Sequence, residues 1–373
     1  MSCIKVSRII LTLTLTFLMV GAQAQTLKEK EYKSTSLVAE GESYNNGKRH
    51  GYWILYASNG QKEQEGKYQD GLKQGAWKRY DPTTKNIIED VIYKNDTAHG
   101  VYKSYYSDGK KAEEGTFDMG YQIGVWKQYY NTANNYLASV GEFKNGEKEG
   151  KWTYYFDAEG LQVYETGFYV KGQRNGQWKM YFQGAEKARQ AEGNYKKGMK
   201  DGVWVFYNQQ PNTLLSRILY TANLEQDTFT TYYPSGKVHE RGAYVNGQYH
   251  GLYEELYENG ERKTEGAFTY GEKTDEWKFF YETGIMKMLG SYYKNKANGM
   301  WKYYRDNGSL EREQEYKNNV PDGRYLEYFF NGKIYKKGQM TNFMKQGKWE
   351  EYDITGNLMK VEIWEDNRLI DSQ

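Results

Sequence analysis

Four histidines, one cysteine and a dense set of carboxylates are the side chains from which this chain could build a catalytic or metal site. His50, His99 and His250 each stand just before a glycine in the same turn position of a recurring pattern, and His239 follows another turn. Metal sites need ligands that converge in tetrahedral or octahedral sets, and residues one repeat or more apart do not converge. Carboxylate pairs such as Glu113-Glu114 and Glu254-Glu255 alternate with lysines, as on a solvated face, with nothing to set them apart for acid/base work. No glycine-rich loop leads into a helix to cradle a phosphate, and no nucleophile elbow is present. Cys3 precedes an apolar run that reads as an export segment, which leaves no thiol for chemistry in the processed chain. These residues predict no catalytic, cofactor or metal site, and the protein is read as not an enzyme.

The aromatic side chains, 17% of the composition, have functional reach of another kind. They fall in a repeat, Gly-x-Trp-x-x-Tyr, whose leading position recurs every 24 to 26 residues from Gly51 to Gly347 and counts out thirteen units. Asp227 and Asp275 replace the leading glycine in two of them. Two residues after the leader the position is always Trp, Tyr or Phe, and units four to seven carry Trp126, Trp152, Trp178 and Trp204 in succession. Strand residues at i, i+2 and i+4 share a face, which groups Trp152 with Tyr154, Trp178 with Phe182, and Trp204 with Phe206. Tyr155, Tyr181 and Tyr207 point the other way. Cross-strand aromatic pairs stabilise a sheet by up to ~1 kcal/mol each, so these rows are expected to be core, packed over glycines of neighbouring strands. Any part of the ladder left open would receive a partner, and Trp126, Trp152, Trp178, Trp204, Tyr154, Phe182 and Phe206 are the candidates.

The elements that must position these rows are strands. Period-two segments rich in Tyr, Trp, Phe and Val are bounded by Asn-Gly and Asp-Gly turns such as Asn59-Gly60, Asp108-Gly109 and Asn259-Gly260, which supply the positive φ of tight hairpins. Forty glycines at fixed places disfavour helix, at about 1 kcal/mol each against alanine. The spacing predicts an all-β chain: an elongated, twisted antiparallel sheet of about thirteen stacked β-hairpins.

Residues 1–24 carry Lys5 and Arg8, an apolar stretch from Ile9 to Val20 and a small-residue ending, the pattern of a signal peptide cleaved near Ala24-Gln25. The stretch is shorter than the ~20 residues of a spanning helix. Export to the periplasm or the extracellular space follows. Without Lys5 and Arg8 the chain holds 49 basic and 49 acidic residues, interspersed, which argues against nucleic acid as a partner. Residues 25–40 lack repeat aromatics and read as a lead-in linker, and the array then occupies 41–373. Asn208 to Thr231, with Pro211 and a missing turn glycine, reads as a seam. The last strand-forming stretch, Val361 to Arg368, is expected to offer a sheet edge for self-association or partner docking.

On the segments Gly75-Ala-Trp-Lys-Arg-Tyr80, Gly124-Val-Trp-Lys-Gln-Tyr129 and Tyr304-Arg-Asp-Asn-Gly-Ser-Leu310, and the turn Asn246-Gly-Gln-Tyr-His-Gly251, the chain resembles the MORN-repeat variant family, of the kind found in bacterial YwqK-family antitoxins. The resemblance covers about Gly41 to Arg368. It implies a sheet of stacked hairpins that serves as a scaffold for proteins or, in some relatives, membranes. Trp152 to Gly160 is also similar to the cell-wall-binding repeats of choline- and glucan-binding proteins, whose units are shorter and carry a second Gly-Trp that is absent here. The leading expectation is an exported scaffold with a protein partner. The alternatives are a polysaccharide or cell-wall binding module acting through an exposed aromatic ladder, and an immunity-type protein that neutralises a partner.

Overall fold

The computed structural model describes residues 7–10, 26–44, 46–184 and 188–373; the stretch 1–24, expected to be a signal peptide, otherwise lies outside the described residues. Every regular element among them is a β-strand. The chain divides into two compact units, one up to Lys187 and one from Ala188.

In the first unit, antiparallel pairing runs in chain order from Ser7–Ile10, which lies against Thr26–Lys33, to Val163–Val170 against Gln173–Tyr181. In the second it runs from Arg189–Lys196 to Leu358–Glu365 and Arg368–Ser372. Among the described residues twelve of the thirteen aromatic hairpins are seen paired, five in the first unit and seven in the second. Residues 25–40, expected as a linker, fold instead: Thr26–Lys33 pairs with Ser36–Tyr44 along its whole length. Its interior is small and polar, with Ala39 and Ser43 buried and the Ser43 hydroxyl donating to Glu29 at 2.9 Å. A hairpin with no buried aromatic side chain therefore lacks the repeat's aromatic signal. The expected seam is also displaced. Asn208 to Thr231 forms a regular part of the second unit, because the turn at 208–213 absorbs Pro211 and the flanking strands Gly202–Tyr207 and Leu214–Thr221 stay paired.

Two glycine positions per repeat hold the core, for different reasons. The leading glycine lies at a bulge: on one strand Gly141 alone stands opposite Gly150, Lys151 and Trp152 on the next, between the pairs Val140–Thr153 and Glu142–Glu149. The extra residues require a left-handed backbone, and Gly150 has φ 66°. Asp227 and Asp275 take the same conformation, φ 54° and 60°, which aspartate tolerates through local side-chain hydrogen bonding. The second glycine is needed for space. A Cβ on Gly141 would lie 2.2 Å from the Trp152 ring, and the same closeness recurs at Gly66 under Trp77, Gly167 under Trp178, Gly266 under Trp277 and Gly338 under Trp349.

Most of these indoles also satisfy their N–H, that of Trp349 excepted. The Trp152 N–H donates to the Glu142 carbonyl at 3.1 Å, and Trp53, Trp77, Trp178, Trp204 and Trp277 donate to the equivalent carbonyl, one residue past the glycine. The Phe143 ring meets Trp152 edge-on at 5.2 Å. A cation two residues before the leader covers the ring: Lys148 lies 4.1 Å from Trp152, with Arg49, Lys73, Arg174, Lys200, Lys273 and Lys345 placed alike over their own tryptophans. Burial pushes the Lys148, Lys200 and Lys273 ammonium groups below their ordinary pKa.

The opposite face of the same strands carries a second recurring contact. Lys111 pairs with Glu114 at 3.0 Å, and Tyr129, from the next hairpin, donates to the same carboxylate at 2.6 Å. Lys62, Glu65 and Tyr80 repeat it, as do Arg189, Glu192 and Tyr207. Desolvation first, and the Glu313 carboxylate second, raise the Tyr328 phenol to about 12. The bond to Glu40 and then burial do the same at Tyr56.

Two outcomes follow. Gly141→Ala, which forces a methyl into Trp152, should cost about 1–3 kcal/mol, whereas Gly150→Asn, in open space but at positive φ, should cost less than 1 kcal/mol. Urea denaturation separates them, and equal costs would show that the indole contact is not limiting. Trp152→Ala with Trp178→Ala should unfold the first unit, since each loses about 3–5 kcal/mol. The second outcome concerns alkali. A phenol whose pKa is raised on folding contributes stability that is full below the unfolded value near 10 and lost as pH rises through 12. Circular dichroism should therefore report unfolding in that window together with phenolate absorbance. Phenols ionising near 10 with the fold intact would contradict the buried Tyr–Glu contacts.

Candidate interaction surface

The tryptophan rows fill one face of each unit, and this decides where a partner can reach. Trp126, Trp152 and Trp178 in the first unit and Trp204 in the second are 0–1% exposed. The row proposed as a binding site, should it be open, is closed: each indole lies under a glycine and a cation or ring. Tyr154 and Phe206 continue that packing. Tyr154 stacks on Trp152 at 5.9 Å and shares a 3.0 Å hydrogen bond with Tyr169, while Phe206 leans on Trp204 at 6.2 Å. Phe182 does not share the face of Trp178, because its strand ends at Tyr181 and Phe182 starts the following turn. In the neighbouring hairpins a second bulge at this point, as between Tyr154 and Tyr155, breaks the period of two.

The open surface is on the other side and is set by the residue right after each leader. That residue points away from the core and pairs across the hairpin with another outward residue. In the first unit these are Ala76 with Ile92, Val101 with Thr116 and Val125 with Glu142. Val101 and Val125 are each 53% exposed. In the second unit they are Val203 with Leu219, Thr228 with Ala243 and Leu252 with Ala267. The second unit thus shows an uncharged, mostly apolar row crossing six strands, which spans ~24 Å at the usual strand spacing, and the first unit a shorter one that ends at Glu142. Beyond Ala267 the row turns charged with Glu276 and, further on, Arg324 and Lys348.

The row in the second unit opens into a groove of about 970 Å³. Its floor is Thr228, Ala243, Leu252 and Ala267, and Leu252 is 83% exposed. A closed charge ladder forms one wall. Glu254 and Glu265 face each other across a hairpin, and Arg262 lies between them at 3.0 and 3.1 Å. Arg241 binds Glu254 from one side, and Lys278 binds Glu265 from the other at 2.8 Å. The ladder satisfies itself and leaves the apolar floor as the free part of the surface. At the far end Asp275 and Glu276 are exposed. Glu276 has a single cation near it, Lys278 at 3.6 Å, and Asp275 makes no ion pair among the described residues.

Three of the histidines have partners of their own. His99 meets Asp118 at 3.0 Å, His239 lies 3.5 Å from Glu255, and His250 stacks on Tyr270 at 4.7 Å. No group of three or more metal-ligating side chains occurs among the described residues. Sequence reasoning missed the outward row and one structural rung. The rung is the aromatic six residues after the leader, as where Tyr106, Tyr130, Tyr257 and Tyr281 donate to the carbonyl freed by the bulge of the next hairpin, at 2.6–2.9 Å. Its signal was present as the recurring Tyr-Tyr and Leu-Tyr pairs.

Among solved structures, the chain is similar to the one titled "Crystal Structure of TcdB2-TccC3-Cdc42", with 12% identity over 91% of this chain and 20% of that one, at a TM-score of 0.17. It is likewise similar to the Tc holotoxin pore of Photorhabdus luminescens carrying the TccC3-D651A mutation, with 10% identity, 91% and 23% coverage and a TM-score of 0.18. The chain spans about a fifth of the length of these toxin chains, and likenesses this distant carry no argument about function. No curated protein matches. The profile of the MORN repeat variant matches residues 49–70, 98–119, 228–246, 276–295, 297–318 and 321–342. Each of these segments is a hairpin strand pair, and at these six positions the chain matches the MORN repeat variant.

Proposed function

We propose that the chain is an exported, non-enzymatic scaffold that holds a protein partner against the outward apolar rows. The observation that carries this reading is the division of labour between the two faces. The aromatic side is consumed by the fold, whereas Val101, Val125, Val203 and Leu252 stand open, Leu252 beside self-neutralised charge. Exposed apolar rows rimmed by polar groups suit protein contacts, where the energy comes from a few desolvated side chains. The MORN repeats agree with a scaffold role. Wall polysaccharide, the competing ligand, binds by stacking sugars on exposed aromatic faces, and the Trp126 to Trp204 row offers none. Export rests on Lys5, Arg8 and the apolar run from Ile9 to Val20.

The test uses residues 25–373 as bait against separated envelope fractions, beside a Val101→Asp/Val125→Asp/Leu252→Asp variant with unchanged circular dichroism. A discrete protein retained by the wild type and lost from the variant is the expected result. Retention on insoluble polysaccharide, released by free sugar and indifferent to the substitutions, would replace this reading with the wall-binding one. N-terminal sequencing of the native protein should begin at Gln25, and a chain that still begins at Met1 would remove the export half.

A further inference from the structure

We propose that the groove over Ala243 and Ala267 receives an amphipathic α-helix of the partner, with a basic residue of that helix set against Asp275 and Glu276. This rests on the scaffold reading above and specifies what the outward row of the second unit holds.

The argument is one of period and charge. Along the groove the larger floor residues, Thr228 and Leu252, come from alternate strands, and the smaller ones, Ala243 and Ala267, lie between them. Strands are ~4.8 Å apart, so the two hollows repeat at ~9.6 Å. Seven residues of an α-helix rise ~10.5 Å. A helix laid across the strands therefore places side chains i and i+7 over Ala243 and Ala267, on either side of Leu252. An extended chain on the same path presents like-facing side chains every ~6.7 Å, out of step with the hollows. Recognition by apolar residues at such helical spacings is a standard groove mode.

The charge pattern orients this helix. Arg241, Glu254, Arg262, Glu265 and Lys278 are bound to one another along one wall. The end of the groove is acidic, because Lys278 is held more closely by Glu265, at 2.8 Å, than by Glu276, at 3.6 Å. One turn past the residue over Ala267, a helix reaches this end, so Arg or Lys at about i+11 completes the match.

The probe is a fluorescent synthetic helix of about 20 residues with Leu at i, i+3, i+4 and i+7 and Arg at i+11, beside a twin with Glu at i+11. Both are titrated against the full chain by anisotropy. The Arg helix should bind, and Ala267→Tyr, which fills a hollow, should weaken it about tenfold. Asp275→Asn/Glu276→Gln keeps a residue that tolerates positive φ and should weaken the Arg helix about fivefold while no longer distinguishing it from its twin. Equal binding of the two helices to the wild type, indifference to both variants, or absence of binding would overturn the helix assignment. In the envelope pull-down, Leu252→Asp as a single variant separates the two readings. Loss of the partner there, with the synthetic helix unbound, sinks the helix and leaves the scaffold surface. Full recovery of the partner counts against the surface itself.

Discussion

Everything in this fold depends on the indole ring lying directly on a glycine Cα. A sheet with one buried face must fill it with side chains of adjacent strands, which are ~4.8 Å apart. A tryptophan needs more room than that, and the repeat makes it by removing the neighbouring side chain, as at Gly141 beneath Trp152. The bulge at Gly150 tilts the strand so that the ring lies flat, and it also exposes the Glu142 carbonyl that the indole N–H then satisfies. The glycine, the bulge and the hydrogen bond form one device, which explains why their spacing recurs with so little variation. Where the ring is smaller, the device loosens. Beneath Phe229 the glycine of the preceding strand is replaced by Ile218, and the cation two residues before the leader is replaced by Glu225.

The cations over the indoles follow from the same constraint. A ladder one sheet thick has no second layer to cover its apolar face, so the ring tops would meet water. Lysine and arginine solve this with an aliphatic stem over the ring and a charge at the rim. The cost is partial desolvation of the ammonium, seen in the depressed Lys148, Lys200 and Lys273. At Trp301 the covering position is Ala297, which is itself buried, and there the indole N–H has no partner among the described residues. That hairpin shows what the cation and the bulge hydrogen bond each contribute when they are absent.

Most of this was legible in the sequence because the constraint repeats. The thirteen hairpins, the Asn-Gly turns and the indole-over-glycine core all follow from fixed spacings. What was not legible failed for physical reasons. Thr26 to Tyr44 has Tyr32 and Tyr44 but none of the repeat's buried indoles, because it opens the ladder with the small Ala39 packed in the cluster of Trp53, so a pattern built on large core residues overlooks it. Pro211 suggested a break, yet a turn can hold a proline without disturbing the strands beside it. Phe182 reads as continuing the strand of Trp178, whereas that strand ends at Tyr181, and the bulge that interrupts the alternation of two in the neighbouring hairpin, between Tyr154 and Tyr155, leaves no mark of its own in composition. The groove was invisible for a related reason. Its floor combines residues from neighbouring hairpins, and only the bulge register shows that Thr228, Ala243, Leu252 and Ala267 face the same way.

The same register explains how one repeat can keep a fixed core and a variable surface. The position two after the leader is aromatic in every unit, while the position one after it runs through Tyr52, Ala76, Val101, Val125, Lys151, Gln177, Val203, Thr228, Leu252, Glu276, Met300, Arg324 and Lys348. Adjacent residues of a strand point to opposite faces, so a substitution at the second set leaves the glycine-indole contact untouched. Each outward residue meets only its cross-strand partner and the neighbours one strand away, which makes the surface a local composition. Apolar residues at consecutive units yield an apolar row, small ones between them yield hollows, and a carboxylate ends the row. The chemistry of the outward face is thereby varied strand by strand without disturbing the glycine-indole core.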